Sequence, residues 1–393
     1  MLENYLKYPM RIGIDATNIR IGGGITHLLE LLDSMDVSAL QVETVYIWAG
    51  DKTLQCLPSY PWLNKINPSS LNRSLLHRIF WQVFSLSRAA KAKGCHVLFV
   101  PGGSYAGTFH PVVTMSQNLF PFEWTMILKT GISFRMLKFI LLRWAQSLSF
   151  RRSEGVIFLT EYAKKSVLKV TGPLKGKIAV IAHGLNPRFT FLSKPQLPIE
   201  QYTWDHLYRL IYVSTVDVYK NQEQVILAVE YLRNKGFPLS LTFVGPSEPQ
   251  ALKLLQEMQT QHDPKGVWLE YLGALPYKTL DLEYQKADLG IFASSCETFG
   301  MTVLEKMSIG LPIACSELSC MYEILGNGGL YFDPYNPMSI ADAIEIYLQS
   351  PQLRKEKISI ATQLAQQYSW GRCAVQTVDF LRSVAKITTH RCD

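Results

Sequence analysis

Short apolar runs alternate with longer mixed stretches along the whole chain. Residues 11–15, 42–48, 96–100, 111–115, 155–159 and 178–181 are rich in Val, Ile and Phe and read as buried strands, while 25–32 carries its apolar positions at helical spacing. Strands separated by helical stretches predict a parallel, doubly wound α/β sheet. The polar loop 186–205, with Pro187, Pro195 and Pro198, breaks this rhythm. It restarts at 210–213 and continues at 239–244, 267–272, 289–293 and 312–315, each run followed by a helix candidate. The pattern predicts two α/β domains, 1–190 and 191–370, with a tail at 371–393, the two facing one another across a cleft of the kind that binds ligands.

Length agrees, since 393 residues exceed what one core usually organises. Seven cysteines, scattered and without CxxC spacing, suggest neither a disulfide framework nor a zinc site and fit a reducing cytoplasm. The first ten residues lack the apolar segment of a secretory signal, and no run of about 18 apolar residues predicts a membrane span. Charge is uneven: residues 51–190 hold 19 Lys/Arg against 4 Asp/Glu, within a net charge of +7.

The chemistry concentrates at residues 296–305, CETFGMTVLE. An apolar strand ends at Ala293, and helical spacing begins near Phe299 or Gly300, so Glu297 lies at a strand-to-helix corner. A helix N-terminus aims backbone N–H groups and about half a positive charge at what lies beyond it, and Gly300 permits close approach. That suits phosphate. Glu297 and Glu305, as acceptors only, suit vicinal sugar hydroxyls. On spacing alone the two acids read equally well as an N-cap-region acid and a solvated helix residue.

Glu297 and Glu305, eight positions apart in the setting ADLGIFASSCETFGMTVLEKM, resemble the EX7E signature of retaining family 4 (group 1) glycosyltransferases of the GT-B fold. Gly310-Leu311-Pro312-Ile313 and Gly328-Gly329-Leu330-Tyr331-Phe332-Asp333-Pro334 resemble two further turns of that family. The resemblance implies two Rossmann-like domains with a C-terminal helix returning to the first. It implies that Glu297 meets the donor sugar, Glu305 the ribose, and the backbone from Thr298 through Phe299, Gly300 and Met301 to Thr302 the sugar and diphosphate. Lys220 matches the family lysine that offsets the leaving diphosphate, although a lysine by itself is commonly a surface residue. At the family's arginine stands Thr215, so Ser214 or Thr215 hydroxyls are expected to replace that contact. Gly23 and Gly24, in a glycine loop before a helix, match the family loop near the phosphates. Gln117 and Asn118 stand where relatives have His and Asp, and His183 where they have Asn; these three are the expected acceptor or sugar contacts.

No Asp-x-Asp pair is present, so a metal-independent transfer with no cofactor is expected, the donor being a GDP- or UDP-sugar and mannose the sugar suggested by likeness to O-antigen mannosyltransferases. Residues 70–94 and 125–152 mix Arg and Lys with Phe, Trp and Leu. That pattern fits a helix in an anionic lipid interface as well as a core helix with charged tips. A lipid-linked saccharide acceptor at the cytoplasmic face of a membrane follows from the first of these. The competing expectation is a nucleotide-sugar-binding or scaffold subunit without turnover. Nucleic acid is not indicated, and neither half carries the GxGxxG and distant acid of a dinucleotide dehydrogenase.

Overall fold

The computed structural model describes residues 9–389 other than residues 21, 130, 132 and 190–193. The extreme N-terminus, Cys392, Ile21 of the glycine loop and part of the 186–205 loop lie outside the described residues. Within them the chain forms two compact units. Unit 1 comprises the described residues up to Gly184 and from Ser369 onward, and unit 2 those from Leu185 to Tyr368.

Unit 1 is built on seven parallel strands: β1 (Met10–Asp15), β2 (Val42–Trp48), β3 (Leu63–Ile66), β4 (Val97–Val100), β5 (Val112–Ser116), β6 (Gly155–Phe158) and β7 (Lys177–Val180), in the order β3-β2-β1-β4-β5-β6-β7. Every residue of β4, β5 and β6 is buried, as expected of strands covered on both faces. The Trp370–Thr389 helix belongs to this unit. It packs on β4, β5 and β6, and an added Cβ on Gly155 would meet Val384 at 2.9 Å and Phe380 at 3.0 Å.

Unit 2 has six parallel strands: β8 (Tyr208–Val213), β9 (Leu239–Val244), β10 (Leu269–Tyr271), β11 (Leu289–Phe292), β12 (Ile313–Ser316) and β13 (Leu330–Phe332), ordered β10-β9-β8-β11-β12-β13. Here Gly290 stands between Ile211 of β8 and Ile313 of β12. Both sheets are doubly wound, as the apolar runs predict. Two strands escape that pattern, and both are sheet edges. β3 carries only two apolar residues in four, and β13 is three residues long, set in a segment read as a turn.

Candidate functional site

In unit 2 the strand order reverses between β8 and β11, where open α/β sheets bind ligands beyond the carboxyl ends of their strands. From β8 the chain passes Ser214 and Thr215 into a single 3-10 turn, Val218–Lys220; from β11 it climbs to Glu297. Hydrogen bonds strap the two segments together. The Ser295 amide and hydroxyl both donate to the Tyr219 carbonyl at 2.9 Å, and Asn221 Nδ2 donates to the Ala293 carbonyl at 2.7 Å. Asn221 itself takes a left-handed φ of 53°, which Asn tolerates better than most residues. The Tyr212 hydroxyl donates to the Lys220 carbonyl at 2.8 Å, and the Glu297 amide donates to Ser319 Oγ at 3.0 Å.

These straps bring the Lys220 ammonium into direct contact with the Glu297 carboxylate. Lys220 is only 7% exposed, so it is not a surface lysine. Burial opposes its charge, but the Glu297 carboxylate and the Tyr219 and Tyr212 phenols outweigh burial and hold its pKa above the ordinary lysine range. Removing one partner of a buried pair strands the other, at about 3–5 kcal/mol.

The Met301–Ile309 helix begins immediately after this pair. Its N-cap, Gly300, has φ 89°, no side chain caps the end, and no acid occupies the first turn. A Cβ at Gly300 would stand 2.9 Å from Met321 Cε in a backbone conformation L side chains rarely adopt. The first-turn amides are therefore not spent on a side-chain cap, the arrangement that favours an anion.

Glu305 is 4% exposed, which rules out a solvated helix residue. Its Oε2 accepts from the Tyr284 hydroxyl at 2.8 Å, with Tyr277 and Arg188 also facing it. The Arg188 guanidinium lies 3.9 Å from the Tyr277 ring centre and donates to the Tyr277 carbonyl at 3.1 Å. Burial pushes the Glu305 carboxyl upward, against the pull of Tyr284 and Lys306. Ser214 is less available than its sequence position suggests. Its hydroxyl donates to the Thr215 carbonyl at 3.2 Å, while Gln222 Nε2 donates to that hydroxyl at 3.2 Å and to the same carbonyl at 3.0 Å.

The remaining candidates lie in unit 1. Gly23 and Gly24 open the Gly23–Asp33 helix, whose N-cap Gly22 also provides no side-chain bond. A Cβ on Gly23 would meet nothing within 4 Å, while one on Gly24 would stand 3.5 Å from Gln117 Oε1. Gln117 donates to Met115 Sδ at 3.3 Å, and Asn118 Oδ1 accepts from the Phe120 amide at 3.1 Å, closing its own turn. His183, expected at a sugar, is a buried residue packed beside His27 and Trp370. It is 5% exposed, its Nδ1 is 3.1 Å from His27 Nδ1, and its ring centre is 5.4 Å from that of Trp370.

Sequence reasoning passed over Asn221, Ser319 and Tyr284, which act through backbone and packing and carry no motif. It also passed over Lys306. A lysine among Val303, Leu304 and Met307, on a helix whose apolar residues must face a core, was the available signal.

The family described as glycosyl transferases group 1 matches residues 200–364, the stretch that holds Lys220, Glu297 and Glu305. O-antigen chain mannosyltransferase B of Escherichia coli is 30% identical over 196 residues, 49% of this chain and 50% of that one. The match thus spans about half the length of that relative. Among solved structures, sucrose-phosphate synthase from Thermosynechococcus elongatus superposes with a TM-score of 0.75 at 16% identity, covering 95% of this chain and 98% of its own. An Anabaena protein solved with UDP-glucose gives 0.68 at 15% identity, covering 97% and 100%. Residues 200–364 are thus similar to the group 1 glycosyl transferases, and the chain's two Rossmann-like units share the fold of these solved structures.

Proposed function

We propose that this chain transfers a hexose, with retention, from a nucleotide diphosphate sugar to a saccharide acceptor. The observation that carries this reading is the buried Lys220–Glu297 pair beside the uncapped Met301–Ile309 helix, at the switch point of the unit that matches the family. The helix end and Lys220 supply positive potential where a diphosphate would leave, and electrostatic stabilisation of this kind is commonly the largest catalytic term. Glu297, held by Ser319 and Lys220, orients sugar hydroxyls. The acceptor oxygen forms its bond to the anomeric carbon as the bond to the diphosphate breaks, and the departing diphosphate takes the electron pair and the acceptor's proton. No side-chain base is required, and the transfer is read as metal-independent.

Mannose from GDP-mannose is the first donor to test, on the strength of the E. coli relative's name, with UDP-sugars next because the Anabaena protein was solved with one. A lipid-linked acceptor at an anionic membrane surface is supported by unit 1. Phe134, Leu137, Leu141 and Trp144 are 53–83% exposed along one side of the Phe134–Arg152 helix. No helix among the described residues is long and apolar enough to cross a membrane. The placement read for the chain is peripheral, on the cytoplasmic face.

The test is nucleotide diphosphate release from GDP-mannose, UDP-glucose and dTDP-glucose, with and without saccharide acceptor. One donor should be turned over, and Glu297→Gln should lower the rate about a hundredfold while the fold is kept. Equal rates in the two proteins would overturn the reading. The engaged Ser214 hydroxyl and the absence of a guanidinium at Thr215 favour a second reading, a nucleotide-sugar binder without turnover. Tight binding with no release in the presence of acceptor would select it.

A further inference from the structure

Directly behind the site sits a buried lysine that the proposed transfer does not use. Lys306 is fully buried, 0% exposed, on the Met301–Ile309 helix. Its side chain runs back toward the helix start, where Nζ donates to the Thr302 carbonyl at 3.3 Å. Two aromatic rings, Tyr284 and Phe292, each lie 5.5 Å from Nζ, and Lys220 Nζ lies 5.4 Å from the same Phe292 ring. Room for the lysine comes from β11, since a Cβ at Gly290 would stand 2.5 Å from Lys306 Cδ. No carboxylate lies within ion-pair distance of Lys306 among the described residues; Glu297 is taken by Lys220, and Glu305 is bonded by Tyr284.

A buried ammonium with one carbonyl and two ring faces is costly, because burial of charge is compensated only by a close counter-charge. The missing counter-charge has an obvious place to arrive. Thr302, whose carbonyl Lys306 contacts, is in the first turn of the uncapped helix, and its Oγ1 is a buried polar atom with no partner in the structure. We propose that Lys306 is a positioning residue whose ammonium provides the second positive charge for a nucleotide diphosphate bound at the start of the Met301–Ile309 helix, alongside Lys220. This rests on the donor-binding reading above and extends it to a residue outside the matched signature.

Charge linkage supports it. The titratable groups facing Lys306 are Glu305 on its own helix, Cys315 on β12, Glu297 on the loop after β11, Lys220 on the 3-10 turn, and Tyr284. Burial pushes the Lys306 pKa below the ordinary lysine value, against the pull of Glu305. A bound diphosphate favours the charged form, so binding should take up protons, and affinity should fall as pH rises through the free-state pKa. In the free protein the same burial is a net cost to folding at neutral pH.

Binding of UDP, GDP and dTDP to the full chain by calorimetry tests this, in two buffers of different ionisation enthalpy, with Lys306→Met and Lys306→Gln alongside. Both variants should bind the preferred nucleotide about tenfold more weakly, which is about 1.4 kcal/mol. Both should lose the proton uptake, and Lys306→Met should melt at a higher temperature than the parent when no nucleotide is present. A purely structural lysine would not give weaker binding together with a more stable free protein. Unchanged affinity and proton uptake in the variants overturn the proposal while leaving the donor reading intact. Loss of fold in both variants also overturns it, making Lys306 structural. A parent chain that binds none of the three nucleotides overturns the donor reading itself.

Discussion

Two histidines carry a consequence at the scale of single residues. His27 and His183 approach Nδ1 to Nδ1 at 3.1 Å, so one nitrogen must donate and the other accept; both rings are neutral in that bond. They are buried together against Trp370, with His27 Nε2 buried and unpartnered. Burial pushes the His27 pKa down to about 3 and that of His183 well below its usual value, with His27 adding to the second shift. Depressed pKa values in the folded state mean that the unfolded chain binds the protons. The stabilising contribution is whole above the unfolded value of 6.5 and is lost as pH falls from there toward the folded values. Each histidine should remove about 1.4 kcal/mol of stability per pH unit in that window. Urea midpoints measured from neutral pH downward should fall steeply for the parent and less steeply for His27→Gln. Parallel slopes would mean that the pair is not the acid-sensitive element.

Helices and strands were legible in proportion to how strongly burial writes itself into a short stretch. Central strands such as β4 and β6 have every chance to show, because both faces are covered and their residues are correspondingly apolar. The Glu297 corner was visible for the same reason, as an apolar strand stopping at an acid and a glycine. β3 and β13 were not, since an edge strand needs pairing on one side only. The Phe134–Arg152 helix shows what spacing cannot resolve. Its basic residues suggested a charged membrane face, yet Arg143 donates to the Pro121 carbonyl at 3.2 Å and lies over Trp124, and Arg135 packs over Phe120 and Phe139. Large apolar residues also stand exposed on it: Phe134 at 83% and Trp144 at 69%. Insertion of rings, with Lys138 supplying charge, is therefore the expected contact. The double substitution Phe134→Ser and Trp144→Ser should reduce sedimentation with vesicles containing anionic lipid severalfold, more than Lys138→Gln does. Equal co-sedimentation of the parent and the double variant would remove this helix from the membrane reading.

At the scale of the whole molecule, the chain leaves unit 1 after Gly184, builds unit 2, and returns at Ser369. The returning helix completes a core rather than trailing from it. Cys373, Ala374, Val378, Leu381 and Val384 are each at most 2% exposed, Lys177 donates to the Ser383 carbonyl at 3.0 Å, and Arg382 donates to the Leu40 carbonyl. Gly184 is fitted to the point of return, where an added Cβ would lie 2.1 Å from the Trp370 amide nitrogen. Fully burying one Val or Leu side chain contributes about 1.5–3 kcal/mol, and a whole domain is stable by only about 5–15 kcal/mol. Removing Val378, Leu381 and Val384 together therefore takes away much of what unit 1 has. None of the removed residues belongs to unit 2, whose sheet is closed within 185–368. A chain ending at Tyr368 should then lose one unit and keep the other. Limited proteolysis should digest the 9–184 stretch quickly and leave a protected fragment near 185–368. If both stretches stay protected, the Trp370–Thr389 helix is an accessory to unit 1 and not part of its core.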